Sequence, residues 1–176
     1  MSCVRTRRLF MALWPSPAVC DALAHYTAGL SLPPGARRVV ADEWHVTLEF
    51  LGVVPESARP SLECLLAEFP AQPEPLVLDN PAYWPESGVG VLVASEVPAP
   101  LREGQAWLRE RLKQLGHRVD SRPFLPHVTL YRSGLPAAVL PPDPAIGWPL
   151  GRVALVESSP VVGSPRYLEL AAQELI

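Results

Sequence analysis

The sequence His-Val-Thr-Leu occurs twice in this chain, at residues 45–48 and again at residues 127–130. In an extended strand, successive side chains point to opposite faces. The His and Thr of each copy therefore lie on one face, and the Val and Leu lie on the other. Each copy predicts a strand with one apolar face packed on the protein interior and one face that presents an imidazole and a hydroxyl group.

Similar elements precede the two copies. An apolar run at residues 9–14 predicts a buried strand, and Ser16 followed by Pro17 predicts the start of a helix. In the second half, the apolar run at residues 89–94 predicts another strand. Leucines at helical spacing then predict a helix: Leu101, Leu108, Leu112 and Leu115. The chain thus repeats the order strand, helix, loop, motif strand.

The remaining segments complete a predicted two-lobed protein. We predict a helix at residues 57–69, strands at 76–78, 152–156 and 166–171, and a loop with five prolines at 136–149. Strands alternating with helices predict α/β or α+β packing. We expect one domain, residues 1–176, with lobes that meet near residue 88. A pseudo-twofold relation between the lobes would bring both motif strands to one groove.

The composition limits the class of protein. The chain has 176 residues, a formal net charge of −3, 48% hydrophobic and 19% charged residues, which is typical of a folded globular protein. The mildly acidic balance excludes a broad nucleic-acid-coating surface but leaves room for local basic patches. Three cysteines without a C-x-x-C motif favour a reducing compartment. No apolar stretch is long enough to cross a membrane, so we expect a cytoplasmic protein with no membrane association.

The four polar motif residues suit acid–base chemistry at phosphorus. Histidine titrates near neutral pH, so one of His45 and His127 can accept a proton while the other donates one. The hydroxyl groups of Thr47 and Thr129 can donate hydrogen bonds to anionic oxygens. Such a set serves in-line displacement without a metal ion or other cofactor.

Two simpler interpretations stay open at this level. A single His-x-Thr strand is commonly an ordinary half-buried structural feature, although an identical repeat in matching halves favours a function. Histidines also bind metals, and Asp42 and Glu43 lie close to His45 in sequence. Two histidines alone are too few ligands, and no third-ligand motif occurs.

Four stretches of the sequence resemble those of a known family: residues 8–13, 41–52, 122–132 and 158–167. They are similar to the opening strand, the two motif blocks and the closing strands of the two-histidine phosphoesterase superfamily. The nearest resemblance is to bacterial RNA 2′,3′-cyclic phosphodiesterases, historically called 2′-5′ RNA ligases. The chain departs from the usual pattern just before the first motif, where it has Glu43 and Trp44.

The resemblance implies a bilobal α+β fold. Two antiparallel sheets would face each other across a central cleft, with helices packed outside. It also implies catalytic roles for His45 and His127, substrate contacts for Thr47 and Thr129, and an arginine, Arg132, near the phosphate.

Other candidate substrate contacts are less tied to the motif. In a regular strand Arg132 would point away from His127, because the two are five positions apart, so it reaches the phosphate only if the strand bends or ends. Aromatic residues near the motifs are candidates for stacking on a base: Phe10, Trp44, Phe124 and Tyr131. Core packing is the better explanation for at least two of them, and we select Phe10 and Phe124 as substrate contacts.

The resemblance implies an enzyme that opens 2′,3′-cyclic phosphate ends of RNA, tRNA fragments among them, to 2′-phosphates. ATP-independent 2′-5′ ligation would be the related reaction. We expect a monomer that needs no cofactor. Two alternatives stay open: action on a small cyclic nucleotide or ADP-ribose cyclic phosphate, and a non-catalytic module that binds RNA ends.

Overall fold

The computed structural model describes residues 5–132, 135–137, 140–142, 144–159 and 166–175. The predicted elements are present with small changes of their ends, and three short strands are added. In chain order the elements are β1 (Thr6–Leu13), α1 (Pro17–Ala28), β2 (Arg37–Arg38), β3 (Val46–Pro55), α2 (Arg59–Ala67), β4 (Leu76–Leu78), β5 (Asn80–Trp84), β6 (Val89–Val93), α3 (Ala99–Gln114), β7 (His127–Arg132), β8 (Ile146–Trp148), β9 (Arg152–Ser158) and β10 (Tyr167–Glu174).

The strands form two four-stranded sheets and one small sheet. The first sheet has the order β10-β9-β1-β3, the second has the order β2-β7-β6-β5, and β4 pairs with β8. All of these pairings are antiparallel. The α+β fold class is therefore confirmed, and each larger sheet carries one copy of the repeated tetrapeptide.

Local sequence explains the helix ends. The Ser16 hydroxyl accepts a hydrogen bond from the Val19 N–H group at 3.4 Å, and Pro17 occupies the first turn of α1. At the end of α3, Gly116 adopts a φ of 82°, a conformation that glycine reaches without a steric cost. The prediction that Leu115 shares the buried face of α3 is wrong: the helix ends at Gln114 and Leu115 is exposed.

The three unpredicted strands, β2, β5 and β8, are short or contain proline. Strand β5 includes Pro81, which is tolerated because β5 is the edge strand of its sheet. Strand β8 lies inside the segment at residues 136–149 that we predicted to be a proline-rich loop, so that prediction is wrong for these residues. Ile146 and Trp148 are buried, and β8 pairs with β4.

Strands β1 and β6 are buried on both faces, which shows that each sheet has two packed sides. In β1, Leu9, Met11 and Leu13 join the main core with the helices, whereas Phe10 and Ala12 join a second cluster on the opposite face. In β6 the valines at 89, 91 and 93 form a third cluster with Ala82 and Trp84. The second faces carry the histidines described below. No helix in the described part of the chain is long and apolar enough to span a membrane.

The close contact between Gly90 and Tyr131 gives a test of this packing. A Cβ atom added at Gly90 would lie 1.9 Å from Cε1 of Tyr131, whose hydroxyl oxygen accepts a hydrogen bond from the Ala137 N–H group at 2.8 Å. The variant Gly90→Ala should lower the free energy of unfolding by about 3 kcal/mol, the upper end of the usual cost of overpacking. Urea denaturation measures the change.

Gly147→Ala in β8 is the matched control. A Cβ atom at Gly147 meets nothing within 4 Å, so this variant should change the free energy of unfolding little. Equal effects of the two substitutions would contradict the described packing of Tyr131.

Candidate active site

A β-bulge follows the threonine in both copies of the motif. In the first sheet, Ala12 lies opposite Thr47 and Met11 lies opposite Glu49, so Leu48 has no partner. In the second sheet, the partner strand skips Leu130 in the same way, between Thr129 and Tyr131. The two motif strands thus share an irregularity as well as a sequence.

The bulges change which residues lie on the histidine face. One extra residue reverses the alternation, so the fifth residue after each histidine returns to the face of that histidine. In β3 this residue is Phe50, which is 55% exposed and whose ring centroid lies 6.0 Å from that of Phe10. In β7 this residue is Arg132, whose positive charge lowers the pKa of His45. A regular strand would have pointed Arg132 away.

Backbone carbonyl groups orient both imidazole rings in the same way. Nδ1 of His45 lies 2.8 Å from the carbonyl oxygen of Glu43, and Nδ1 of His127 lies 2.8 Å from that of Leu125. A carbonyl oxygen only accepts hydrogen bonds, so Nδ1 carries the proton in each ring. The Nε2 atoms of both neutral rings are therefore left as proton acceptors.

The two histidines are close enough to influence each other and are held neutral. Burial lowers the pKa of His45 to about 4; the charges of His127 and Arg132 lower it as well, while the Glu43 carbonyl opposes the shift. Burial also lowers the pKa of His127, and Arg122 adds to this effect. His127 and Arg132 therefore lie close enough to His45 to act on its charge, and the catalytic and binding roles predicted for these three residues stay predictions.

Aromatic side chains surround His45 more fully than His127. The ring centroids of Phe10, Trp14 and Tyr167 lie 5.0, 5.5 and 5.0 Å from that of His45, and Trp14 stacks on it at an interplanar angle of 9°. Trp84 meets His127 edge-on at 4.5 Å. Trp14, Tyr167 and Trp84 were not among the predicted substrate contacts, although Trp14 ends the first apolar run and Tyr167 lies in a stretch that resembles the family.

The other predicted aromatic residues lie elsewhere. Trp44 and Tyr131 are each 3% exposed and belong to the main core, so they are not stacking surfaces. Phe124 is half-buried against the same core, and its proposed contact with substrate stays a prediction. Phe10 forms part of the wall around His45 but is itself only 2% exposed, so it offers no stacking surface either, and its predicted contact with substrate stays a prediction. Thr47 and Thr129 are half-buried on the histidine faces of their strands.

Arg132 has an unusual polar atom. Its Nε atom is buried and has no hydrogen-bond partner among the described residues. Buried donors are normally satisfied, so this atom is available to an anionic ligand. Its position supports the prediction of an arginine beside the histidines.

The described part of the chain offers little to a metal ion. Within it, no group of three or more His, Cys, Asp or Glu side chains lies close enough together to hold one. The Glu43 carboxylate, a candidate ligand by sequence, instead forms an ion pair with Arg37 at 3.0 Å.

Comparison with known proteins gives the family. Residues 15–159 match the family model described as the 2′-5′ RNA ligase superfamily, a match that includes both motif strands. The chain belongs to this superfamily. The family resemblance noted in the sequence is thereby confirmed.

Two relatives in the superfamily carry the same descriptive name, RNA 2′,3′-cyclic phosphodiesterase. The Escherichia coli (strain K12) protein is 31% identical over 93% of this chain and 94% of its own length. The Thermus thermophilus protein is 32% identical over 93% of this chain and 87% of its own length. A crystal structure of E. coli LigT complexed with 3′-AMP superposes with a TM-score of 0.82 at 30% identity, covering 97% of this chain and 99% of that one.

The low pKa of His45 predicts how stability depends on pH. In the unfolded chain this imidazole titrates near 6.5, whereas in the folded protein it titrates at about 4. Between these values only the unfolded chain binds the proton, so stability that is present above pH 6.5 is lost as the pH falls toward 4. His127 acts in the same direction.

The variant His45→Gln should therefore lose less stability than the wild type between pH 7 and pH 4.5. We expect the two losses to differ by about 2 kcal/mol, since one pKa unit corresponds to roughly 1.4 kcal/mol. Urea denaturation of both proteins at both pH values measures this. Equal losses would show that His45 is not held neutral by burial.

Proposed function

We propose that this protein hydrolyses the 2′,3′-cyclic phosphate at the 3′ end of RNA to a 2′-phosphate, using two histidines and no metal ion. One observation carries the proposal. The duplicated strands hold His45 and His127 in the same tautomer and leave both Nε2 atoms free to exchange protons. The names of the E. coli and T. thermophilus relatives support the choice of substrate.

The cationic and hydroxyl groups bind the phosphate. The unpartnered Nε atom of Arg132 donates a charge-assisted hydrogen bond to a non-bridging oxygen. The hydroxyl groups of Thr47 and Thr129 donate to the same group, whose negative charge grows as water adds to phosphorus. The phosphate occupies the space between the motif strands β3 and β7.

The histidines then move two protons. His127 removes a proton from water as the water oxygen bonds to phosphorus, and His45 donates a proton to O3′ as the P–O3′ bond breaks. The product keeps the phosphate on O2′. The half-buried Trp14 and Tyr167 beside His45 support His45 as the acid, since a nucleoside stacks best on that side and carries the leaving oxygen, opposite the attacking water. The choice of O3′ over O2′ as the leaving oxygen follows the family resemblance.

Substrate binding favours the protonated form of one histidine, which takes its proton from solvent. Burial keeps both rings neutral at neutral pH in the free protein. A phosphate anion between them favours an imidazolium, because an opposite charge raises the pKa of a nearby histidine. The acid thus forms when the substrate is in place.

The same step with a 5′-hydroxyl group in place of water joins two RNA ends. It forms a 2′-5′ linkage without ATP and releases O3′ as a hydroxyl group. Hydrolysis dominates because water is far more abundant than RNA 5′ ends.

We further propose that the protein acts as a cytoplasmic monomer on RNA ends, including those of tRNA fragments. One chain carries both halves of the site, because His45 immediately precedes β3 and His127 is the first residue of β7. The two lobes, meeting near residue 88, act as a single domain over residues 1–176.

Removal of either motif histidine tests the roles of the pair. His45→Ala and His127→Ala should each lower kcat on a cyclic-phosphate dinucleotide by about a hundredfold to ten-thousandfold, the usual loss for a general acid or base. Thr47→Val and Thr129→Val should lower kcat less. His25→Ala, on the exposed side of α1, is the control and should keep wild-type kcat. Near-normal kcat in either motif variant would contradict the assignment.

The product and its metal requirement test the proposed reaction. A dinucleotide ending in a 2′,3′-cyclic phosphate, incubated with the protein in excess EDTA, should give a 2′-phosphate by phosphorus NMR. A 3′-phosphate would overturn the assignment of the leaving oxygen. Loss of activity in EDTA, restored by zinc or manganese, would favour a metal site.

A substrate preference for cyclic mononucleotides, without the salt sensitivity expected for RNA, would favour the small-molecule alternative.

A further inference from the structure

Glu49 is a buried carboxylate beside the first motif. Its side chain is 0% exposed and lies on a strand of the first sheet. One oxygen, Oε2, accepts hydrogen bonds from Nε of Arg109 at 2.6 Å and from Nε2 of Gln105 at 3.2 Å. The other, Oε1, accepts one from the backbone N–H group of Asp120 at 2.8 Å. Both oxygens of this buried carboxylate therefore have hydrogen-bond donors.

The bulge after Thr47 is the reason for this location. In a regular strand Glu49 would share the face of His45 and Thr47, but the unpaired Leu48 turns it toward α3. Gln105 on α3 also donates to the Leu48 carbonyl oxygen at 3.3 Å, which satisfies the backbone at the bulge itself. Glu49 thus connects the first motif strand to elements of the second lobe.

The contacts of Glu49 reach the segment that leads to the second motif. We call residues 117–126, between α3 and β7, the α3–β7 arm. Glu49 holds Asp120 directly, and Arg109 donates from Nη1 to the carbonyl oxygen of Arg122 at 2.9 Å. Arg122 in turn donates from its backbone N–H group to the Asp120 carboxylate at 2.9 Å. The beginning of the arm is therefore fixed to the first sheet.

The end of the arm orients the second histidine. Leu125 provides the carbonyl oxygen that accepts the hydrogen bond from Nδ1 of His127. Between Arg122 and His127 stand Pro123 and Pro126, whose fixed φ angles leave this short stretch few conformations. Pro126 is itself held by the second sheet, since its carbonyl oxygen accepts a hydrogen bond from the Ala94 N–H group at 3.1 Å, so a displacement at Arg122 has to be taken up by residues 123–125, which include the Leu125 carbonyl.

We propose that Glu49 is a positioning residue for His127: through Asp120 and Arg109 it holds the α3–β7 arm so that the Leu125 carbonyl orients the imidazole. An ion pair that only stabilised the fold would not need hydrogen bonds to the backbone of the arm. Burying two charges costs desolvation energy, and apolar side chains of similar volume commonly give equal stability. An apolar pair cannot form the hydrogen bonds that hold the arm at two backbone positions, the Asp120 N–H group and the Arg122 carbonyl oxygen.

The kinetic part of the test rests on the proposed function. Glu49→Met keeps the length of the side chain and removes all three hydrogen bonds. We expect kcat on a cyclic-phosphate dinucleotide to fall about a hundredfold, as misplacement of a catalytic group by about 1 Å does, with KM changed less than threefold. Glu157→Met is the matched control, because Glu157 lies on β9 of the same sheet and pairs with Arg7 rather than with the arm.

A spectroscopic measurement does not depend on the substrate. Nitrogen-15 spectra of the imidazoles, recorded above pH 7 without ligand, report which ring nitrogen carries the proton. In the wild type and in Glu157→Met, His127 should be protonated at Nδ1. In Glu49→Met it should show a mixture with the Nε2 tautomer, because the Leu125 carbonyl is no longer held in place.

The outcomes separate this proposal from the proposed function. A wild-type protein without turnover would overturn the function but leave the tautomer test in force. A folded Glu49→Met protein with wild-type kcat and an unchanged His127 spectrum would overturn the positioning role. If Glu49→Met does not fold, Glu49→Met/Arg109→Met, which leaves no unpaired buried charge, decides in the same way.

Discussion

The arrangement of the site depends on the strict two-residue period of a β-strand. Because side chains alternate, one unpaired residue exchanges the faces of everything that follows it. Each motif strand has such an unpaired residue directly after its threonine, Leu48 in β3 and Leu130 in β7, and β3 has a second one at Leu51. The bulges send Glu49 and Tyr131 toward the helices, and they bring Phe50 and Arg132 to the faces that carry the histidines. In regular strands the Arg132 side chain would point toward the core, and the Glu49 side chain would lie on the face that carries His45.

The same irregularity produces two different sides from two similar strands. The position that holds Phe50 in the first lobe holds Arg132 in the second. The His45 side is consequently aromatic, with Phe10, Trp14 and Tyr167 around the imidazole, whereas the other strand supplies the cation. A symmetric pair of histidines thus lies in an asymmetric setting, which fits the proposed substrate, a phosphate with a nucleoside on one side.

Burial sets the charge state of this setting. Both imidazoles are neutral in the free protein, because removal from water disfavours their charged forms. Arg132 adds to the effect at His45, and it has a buried donor without a partner among the described residues. A buried donor without a partner is unfavourable until an anion binds. The anion then lies beside both the guanidinium of Arg132 and an imidazolium, and its negative charge stabilises both. The site therefore has the electrostatics of a receptor for a phosphate.

The sequence by itself determined the motif strands, the three helices and the matching positions of His45 and His127 at the beginnings of the motif strands, because apolar periodicity and an identical repeat are local signals. It also indicated the family. It did not determine β2, β5 or β8, whose short segments are strands only because longer neighbours offer them hydrogen-bonding edges. Nor did it determine the face of Arg132, the burial of Trp44 and Tyr131, or the contacts of Glu49. Those depend on which partner residue a strand skips, and register is a property of two strands that lie far apart in the chain, so only the tertiary structure decided them.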